Sequence, residues 1–394
     1  MTFNLLFDLD DTLLGTNLDV FLPAYFKKLT LHMSKWVPPD QFINALLRST
    51  QIMYASKSTK LTLEEIFSEN FYPALGISQK ELESELEYFY DEVFPSLQSL
   101  TTPRPEAVDL VEWAFAQGWN VAIATDPLFP RKAILHRLRW AGLAPEKYPF
   151  TLISDYQSFH FAKASVSYYP EFLAQMGWVD GPVLMVGDSL ERDVIPSRKA
   201  GLPVFLLRNE RDTSANGFMN GNFSDLHNFL ESGEFASLKV DYGSPSALLA
   251  FLQATPAVLH TLSRTLSQAQ WVQRPQPGEW SQLEILSHLR DVDIEVNIGR
   301  IEAILREDNA FIAGQSTDQW VDERQYNLAN PVSVFDEFIT TREKLVDLLM
   351  SLSVIDWERR ARHTILGPTT IRELVEIVVD HDRLHIQQSM AICS

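Results

Sequence analysis

The sequence predicts an α/β doubly wound parallel sheet of Rossmann-like type with an inserted helical cap, followed by an all-α four-helix bundle. Three observations predict it. Short apolar runs of strand length alternate with helical segments through the first half, the pattern of parallel strands joined by crossover helices. A long stretch of purely helical periodicity interrupts that alternation after the first strand. Four long periodic segments without strand signals then close the chain.

The first strand is read at Phe3 to Phe7, and it runs into Asp8-Leu9-Asp10-Asp11-Thr12. Carboxylates at the carboxyl end of a buried strand lie where open α/β sheets place their chemistry. From about Leu18 to Leu100, apolar residues such as Leu82, Leu86 and Phe89 recur three or four apart between glutamates, giving a helical insertion at about residues 16–100. Strand-like runs return at Trp119 to Ala124, Thr151 to Ser154, Val183 to Val186 and Val204 to Leu207, with helical segments such as Pro130 to Trp140 and Tyr168 to Met176 between them. A polar, loop-like stretch from Asn209 to Asn222 and a short helical segment near Leu226 precede Gly233, Gly243 and Pro245, which mark a boundary. The expected organisation is a first domain over 1–235, a linker over 236–245 and a bundle over 246–394. The bundle helices are read at Ser246 to Gln270, Ser281 to Arg306, Pro331 to Leu352 and Thr369 to Met390, with Ser281 as an N-cap. Pro275, Pro277 and Gly278 separate the first pair, and Gly367-Pro368 precedes the last helix.

Composition sets the limits. The 394 residues exceed what one core normally serves, and 45% hydrophobic with 22% charged residues is a globular profile. Lys+Arg 33 against Asp+Glu 52 gives a formal charge of -19, which repels phosphate backbones and anionic lipid, so neither nucleic acid nor a membrane is an expected partner. A small anionic substrate remains compatible, because a bound divalent cation inverts the local charge. The lone cysteine, Cys393, forms no intramolecular disulfide. The N-terminal residues lack the pattern of a signal peptide and no uninterrupted apolar stretch has bilayer length, so a cytoplasmic location is expected. An apolar face of the bundle could support a homodimer.

Two carboxylates at i and i+2 after a strand can point into one cleft, Asp8 placed to attack an electrophile and Asp10 to protonate the leaving group. Asp188 and Asp193, in Gly187-Asp188-Ser189-Leu190-Glu191-Arg192-Asp193, supply oxygen ligands suited to Mg²⁺. Thr125, at the end of its strand, offers a hydroxyl and a backbone N–H to a phosphate oxygen, and Lys163 offers a fixed positive charge. Asp-x-Asp-x-Thr, a strand-terminal Thr, a Lys and then Gly-Asp-x-x-x-x-Asp, in that order, resembles the haloacid dehalogenase-like hydrolase superfamily over roughly residues 1–235. The resemblance makes the helical insertion at about residues 16–100 a cap, and it implies Asp8 as nucleophile, Asp10 as general acid/base, Thr125 and Lys163 on the phosphate, and Asp8, Asp10, Asp188 and Asp193 around Mg²⁺. It further implies a Mg²⁺-dependent phosphatase acting through an aspartyl-phosphate on a small phosphorylated metabolite, since the dehalogenases of the superfamily lack the second aspartate. Two departures stand out: no proline follows Lys163, and Asp126 follows Thr125 where a neutral residue is commoner.

In the second half, His381 and His385 stand at i and i+4 on one face of the last helix, and His288 lies in the second. If those helices pack side by side, three neutral imidazoles can converge on one transition metal. The arrangement, with Trp280-Ser281 opening the second helix, resembles the DinB-like metal-binding bundles over roughly 245–394. That resemblance implies His288, His381 and His385 as ligands of Zn²⁺ or Ni²⁺. His363 is expected at the surface, with a substitute ligand role as the alternative, and Trp271, Trp280, Trp320 and Trp357 are expected to fill the core. Asp382 occupies the position where zinc proteases carry Glu, which argues against proteolysis. The alternative function is a thiol-dependent transferase or isomerase centred on the bundle, with a regulatory or inactive front domain. A scaffold in which both sites sense ligands is a third.

Overall fold

The computed structural model describes residues 2–178, 181–209 and 218–393; residues 210–217 of the polar stretch read as a loop lie outside them. Contacts divide the chain into two compact units, Met1–Phe172 with Val179–Val240, and Leu173–Trp178 with Asp241–Ser394.

The first unit is built on a five-stranded parallel sheet in the order β4-β1-β5-β6-β7. Its strands are β1 (Asn4–Phe7), β4 (Asn120–Ile123), β5 (Val183–Gly187), β6 (Val204–Leu207) and β7 (Met219–Gly221). Every residue of β1, β5 and β6 is buried, as expected for parallel strands covered on both faces. The chain steps from β1 to β4 on one side and then crosses to β5 on the other, so the carboxyl ends of β1, β4 and β5 border a topological switch point. The run Thr151 to Ser154, expected as a strand, lies parallel to β4, with Thr151 N–H donating to the Val121 carbonyl at 2.9 Å, Ile123 N–H to the Leu152 carbonyl at 2.8 Å and Ser154 N–H to the Ile123 carbonyl at 3.1 Å, but the pairing is too short to extend beyond a single bridge at Ile153. Asp155 follows at once and caps the next turn through Ser158 N–H at 3.0 Å, which ends the extension.

After β1 the chain turns sharply at Asp11, whose φ of +58° is the left-handed region that aspartate tolerates. Asp11 Oδ1 accepts from Thr16 N–H at 2.9 Å. The turn feeds β2 (Leu14–Thr16), which pairs antiparallel with β3 (Thr101–Pro103). Between them stand α1 (Leu18–Met33), α2 (Pro39–Ala55), α3 (Leu63–Leu75) and α4 (Gln79–Tyr88), so a two-stranded stem closes the helical insertion at both ends. α5 (Pro105–Ala116), α6 (Arg131–Trp140), α7 (Tyr168–Gln175), α8 (Ile195–Lys199) and α9 (Phe223–Glu231) are the remaining helices.

The second unit holds four long helical runs. They are α10 (Pro245–Ser263); α12 (Gln282–Val292) continuing through a wide turn at Asp293–Asn297 into α13 (Ile298–Arg306); α15 (Pro331–Met350); and α17 (Ile371–Cys393), with single-turn α11 (Gln268–Trp271), α14 (Trp320–Glu323) and α16 (Val354–Trp357) between them. Ser281 caps α12 reciprocally with Glu284, accepting from its N–H at 3.2 Å while the Glu284 carboxylate accepts from Ser281 N–H at 2.8 Å. By length and hydropathy α10 could cross a bilayer, contrary to the sequence expectation, but 67% of that window is buried inside the unit, as befits a core helix. Three short strands, β8 (Ala310–Ile312), β9 (Arg360–His363) and β10 (Gly367–Thr370), form a sheet that the reading of a purely helical bundle did not anticipate. At three or four residues each, with charged Arg360 and Arg362 in β9, they carry almost no apolar alternation.

Candidate active site and metal centre

At the switch point the carboxyl end of β1 presents Asp8, 7% exposed, and the loop before α7 sends in Lys163, 1% exposed. Lys163 Nζ lies 2.5 Å from Asp8 Oδ1 and 2.5 Å from Asp193 Oδ1. Burial pulls the Lys163 ammonium downward, but Asp193 and Asp8 outweigh it and the group stays charged, above its ordinary value. Asp193 stands one turn after β5, and Gly187 lets it approach: a Cβ at 187 would meet Asp193 Cγ at 2.2 Å. Ser189 N–H donates to Asp193 Oδ2 at 2.8 Å. Asp8, Asp188 and Asp193 each offer a carboxylate oxygen within 4.8 Å of the others, the donor chemistry of a hard cation. One oxygen of Asp188 is buried with no hydrogen-bond partner among the described residues.

Burial first, then the charges of Asp8 and Asp193, push the Asp188 carboxyl up to about 7. Folding therefore favours its protonated form, so its contribution to stability is full below about 3.9, the unfolded value, and is lost as pH rises toward about 7. A cation at the same oxygens competes with that proton. With EDTA present, thermal stability should fall between pH 5 and pH 8, and Asp188→Asn should flatten the fall by about 1–2 kcal/mol, reduced by the partial exposure of the group. An unchanged pH slope in the variant, read by calorimetry, would count against this.

Thr125 follows β4 and is 2% exposed; its carbonyl accepts from Ser154 Oγ at 2.8 Å and from the Tyr168 hydroxyl at 2.9 Å. Asp126 accepts from Lys163 N–H at 3.1 Å, so the residue read as a departure fixes the lysine loop. Asp10, expected beside the magnesium ligands, lies outside the carboxylate group: its Oδ2 pairs with the guanidinium of Arg137, which is fully buried, and its Oδ1 has no partner among the described residues. Sequence reasoning missed Arg137, although it sits in the apolar stripe Ala133, Ile134, Leu138 of α6. A charge inside such a stripe is a signal for a buried pair. Arg192 was missed as well; it lines, with Asp10, a cavity of about 310 Å³ against the helical insertion.

In the second unit the wall of α12 and the inward face of α17 bring His288, His381 and His385 together. His381 Nε2 lies 3.1 Å from the Nε2 of both others. Three ring nitrogens cannot satisfy one another with the single proton each neutral ring carries. A zinc ion about 2.0–2.1 Å from each would set tetrahedral ligand nitrogens about 3.3 Å apart, close to the spacing seen. Burial, followed by the neighbouring His381, brings His288 down to about 3; burial also lowers His381 and takes His385 well below its ordinary value. Neutral imidazoles keep the lone pairs a metal needs. His385 Nδ1 is 2.8 Å from Gln388 Oε1, which fixes the tautomer with Nε2 toward the cluster.

Trp280 was expected in the core. It is instead half-buried and stacked on His385, ring centroids 5.3 Å apart, with His288 at 4.8 Å. His363 was expected at the surface and is instead 7% exposed at the end of β9, outside the three-histidine group. Behind the cluster Arg342 bridges Asp293 and Asp382, all three buried, with Nε 2.7 Å from Asp293 Oδ2. Thr255 Oγ1 donates to Asp382 at 2.7 Å.

Comparison with known proteins found two family models, haloacid dehalogenase-like hydrolase over residues 4–201 and DinB superfamily over 252–389. No curated protein matched. Among solved structures, a HAD phosphatase from Thermococcus onnurineus is 21% identical, with 58% of this chain and 98% of that chain covered at a TM-score of 0.38. A 2-haloacid dehalogenase from Pseudomonas syringae is 18% identical, with 59% and 100% covered at 0.41. YfiT from Bacillus subtilis, described as a probable metal-dependent hydrolase with an unusual four-helix bundle topology, is 18% identical, with 39% and 88% covered at 0.36.

Proposed function

The chain belongs to the haloacid dehalogenase-like hydrolases, and from that premise we propose that it is a Mg²⁺-dependent phosphatase of a small phosphomonoester, organised as a hydrolase domain over 1–235 and a metal-holding bundle over 246–394. The observation that carries this reading is the convergence of Asp8, Asp188 and Asp193, with Lys163 paired to Asp8 and Asp193 and with Asp8 two residues along the chain from Asp10, which lines a cavity. Asp8 Oδ attacks phosphorus, the bond from phosphorus to the ester oxygen breaks, and Asp10 gives that oxygen its proton. Water then attacks the aspartyl-phosphate, Asp10 takes the water proton, and inorganic phosphate leaves with the Asp8 carboxylate restored. Lys163 and the Thr125 position hold the transferred oxygens. Mg²⁺ on Asp8, Asp188 and Asp193, when bound, supplies charge neutralisation at the phosphoryl group.

The cavity wall combines apolar Leu22, Phe26, Phe42, Phe67 and Phe129 with charged Glu64, Glu83, Glu87, Lys132 and Arg192, so it suits an apolar or aromatic alcohol portion that also carries a polar substituent. In the bundle, His288, His381 and His385 would hold Zn²⁺ or Ni²⁺.

The test is phosphate release from a panel of small phosphomonoesters by the purified chain, with Mg²⁺ added or withheld. Release that needs Mg²⁺, fastest for aryl and alkyl esters and unchanged by a Zn²⁺-selective chelator, is expected. Release absent from every member would weigh against the phosphatase. A chelator-sensitive transfer of a thiol would favour the alternative, a transferase centred on the bundle.

A further inference from the structure

We infer that a cavity inside the second unit is a binding site for a small apolar carboxylate, whose head is held by Arg300 and the His363 ring. The cavity encloses about 210 Å³, and apolar side chains such as Leu252, Val292, Ile301, Leu345 and Leu374 form most of its wall. Asn297, Gln315, Thr317 and His381 also line it, but the two polar groups the inference turns on are His363 and Arg300, and neither has a partner that accounts for its placement.

The first is His363, more than nine-tenths buried. Its Nδ1 accepts from the backbone N–H of Ile365 and of Leu366, each at 3.3 Å, so Nδ1 carries no proton and the ring proton sits on Nε2. That Nε2 is buried and has no partner among the described residues, while the ring lines the cavity. A buried donor left without an acceptor carries an unrecovered desolvation cost, which a ligand oxygen would recover. The second is Arg300, half-buried, whose one hydrogen bond among those described runs from Nη2 to the Ala313 carbonyl at 3.2 Å. No described carboxylate lies within ion-pair range of it, whereas the buried Arg342 of the same unit has two. A donor fixed by its tautomer and a guanidinium without a counter-ion together ask for an anionic acceptor.

The size sets the rest. At about 210 Å³ the space is below the roughly 300 Å³ at which drug-sized pockets begin, so the apolar body is short. Ile365 and Leu366, 79% and 46% exposed, stand at the rim, where a bound tail would cover apolar surface that otherwise faces water. His381 also lines the cavity, so the bound acid would lie beside the histidine cluster, but its recognition uses Arg300 and His363 and needs no metal. The inference is therefore independent of both proposed activities.

Isothermal titration of the full chain with hexanoate, hexan-1-ol and hexylammonium tests it, in parallel on chelator-treated protein and on protein reloaded with Zn²⁺. Hexanoate should bind in both preparations at least tenfold tighter than the other two. Arg300→Gln, at a half-exposed position that leaves the thermal midpoint unchanged, should weaken hexanoate at least tenfold, and Arg300→Lys should lose less. His363→Leu, which keeps the bulk and removes the donor, should weaken it further. Equal binding of the acid and the alcohol, no effect of Arg300→Gln, or no binding of any acid from butanoate to octanoate would overturn the inference. Binding that vanishes on chelation and ignores Arg300→Gln would overturn it too, since the carboxylate would then be held by the metal.

Discussion

Asp8→Asn is expected to lower kcat for phosphomonoester hydrolysis by at least about 10³-fold, with the fold intact. The amide is nearly isosteric with the carboxylate, so the packing at the end of β1 is preserved. What changes is chemistry: an amide oxygen is a poor nucleophile toward phosphorus and carries no charge for Lys163. The electrostatics around it explain why the substitution should not unfold the protein. Asp8 and Asp193 share one ammonium while Asp188 stands beside both carboxylates, and Asp8 is among the causes that hold the Asp188 carboxyl up near 7. Removing its charge relieves repulsion within the metal-free site, so the Asp188 carboxyl should move down and thermal stability at pH 8 should hold or rise. Mg²⁺ affinity should fall, since one of three anionic ligands is gone. Phosphate release and calorimetry on the same preparations separate the effects. Turnover within tenfold of the parent would remove Asp8 from the nucleophile role, whatever the calorimetry gives.

The parts of this architecture that could be read without coordinates are those in which one residue type repeats or sits at a fixed offset from an element end. Asp8 after an apolar run, Gly187-Asp188 after another, and the His381/His385 pair on one helix turn are of this kind, and each lies at the close of a strand or on one face of a helix. The four bundle helices were legible for the same reason, since 19- to 23-residue runs such as α10 and α17 average over many turns of periodicity. Partnerships between distant elements were not legible. Nothing near Asp10 in sequence announces Arg137, 127 residues away, and nothing near His288 announces that Trp280 folds over the imidazoles. The short strands of the second unit were lost because a ladder such as Phe311 opposite Arg362 is set by its neighbours and not by local propensity. His363 was misread because its burial depends on that ladder.

Arg342→Met is the second large effect, and it falls on stability. Arg342, Asp293 and Asp382 form a charged triad with side chains almost wholly out of solvent, tying α15 to the wide turn after α12 and to α17. Each charge is expensive to bury alone, and the triad holds because the guanidinium donates to both carboxylates while Asn297 and Thr255 occupy further lone pairs at 2.8 and 2.7 Å. Burial drives the Asp293 carboxyl up, and Arg342 is the first group that opposes it. Methionine fills the stem volume but leaves two carboxylates facing each other without a cation, so the cost should be about 3–5 kcal/mol, against the 5–15 kcal/mol that stabilises a typical domain. Denaturant unfolding followed by far-ultraviolet circular dichroism measures it. The loss should shrink as pH falls, because protonating the carboxylates removes the uncompensated charge. A triple substitution that also replaces Asp293 and Asp382 by leucine should recover most of the stability, since a well-packed apolar trio is often as stable as the ionic one. It should still bind Zn²⁺ less tightly than the parent, because Asp382 immediately follows His381 on α17 and its bonds to Arg342 and Thr255 fix the helix turn that carries that imidazole. Full recovery of both stability and metal affinity would show that the triad has no part in positioning the histidine.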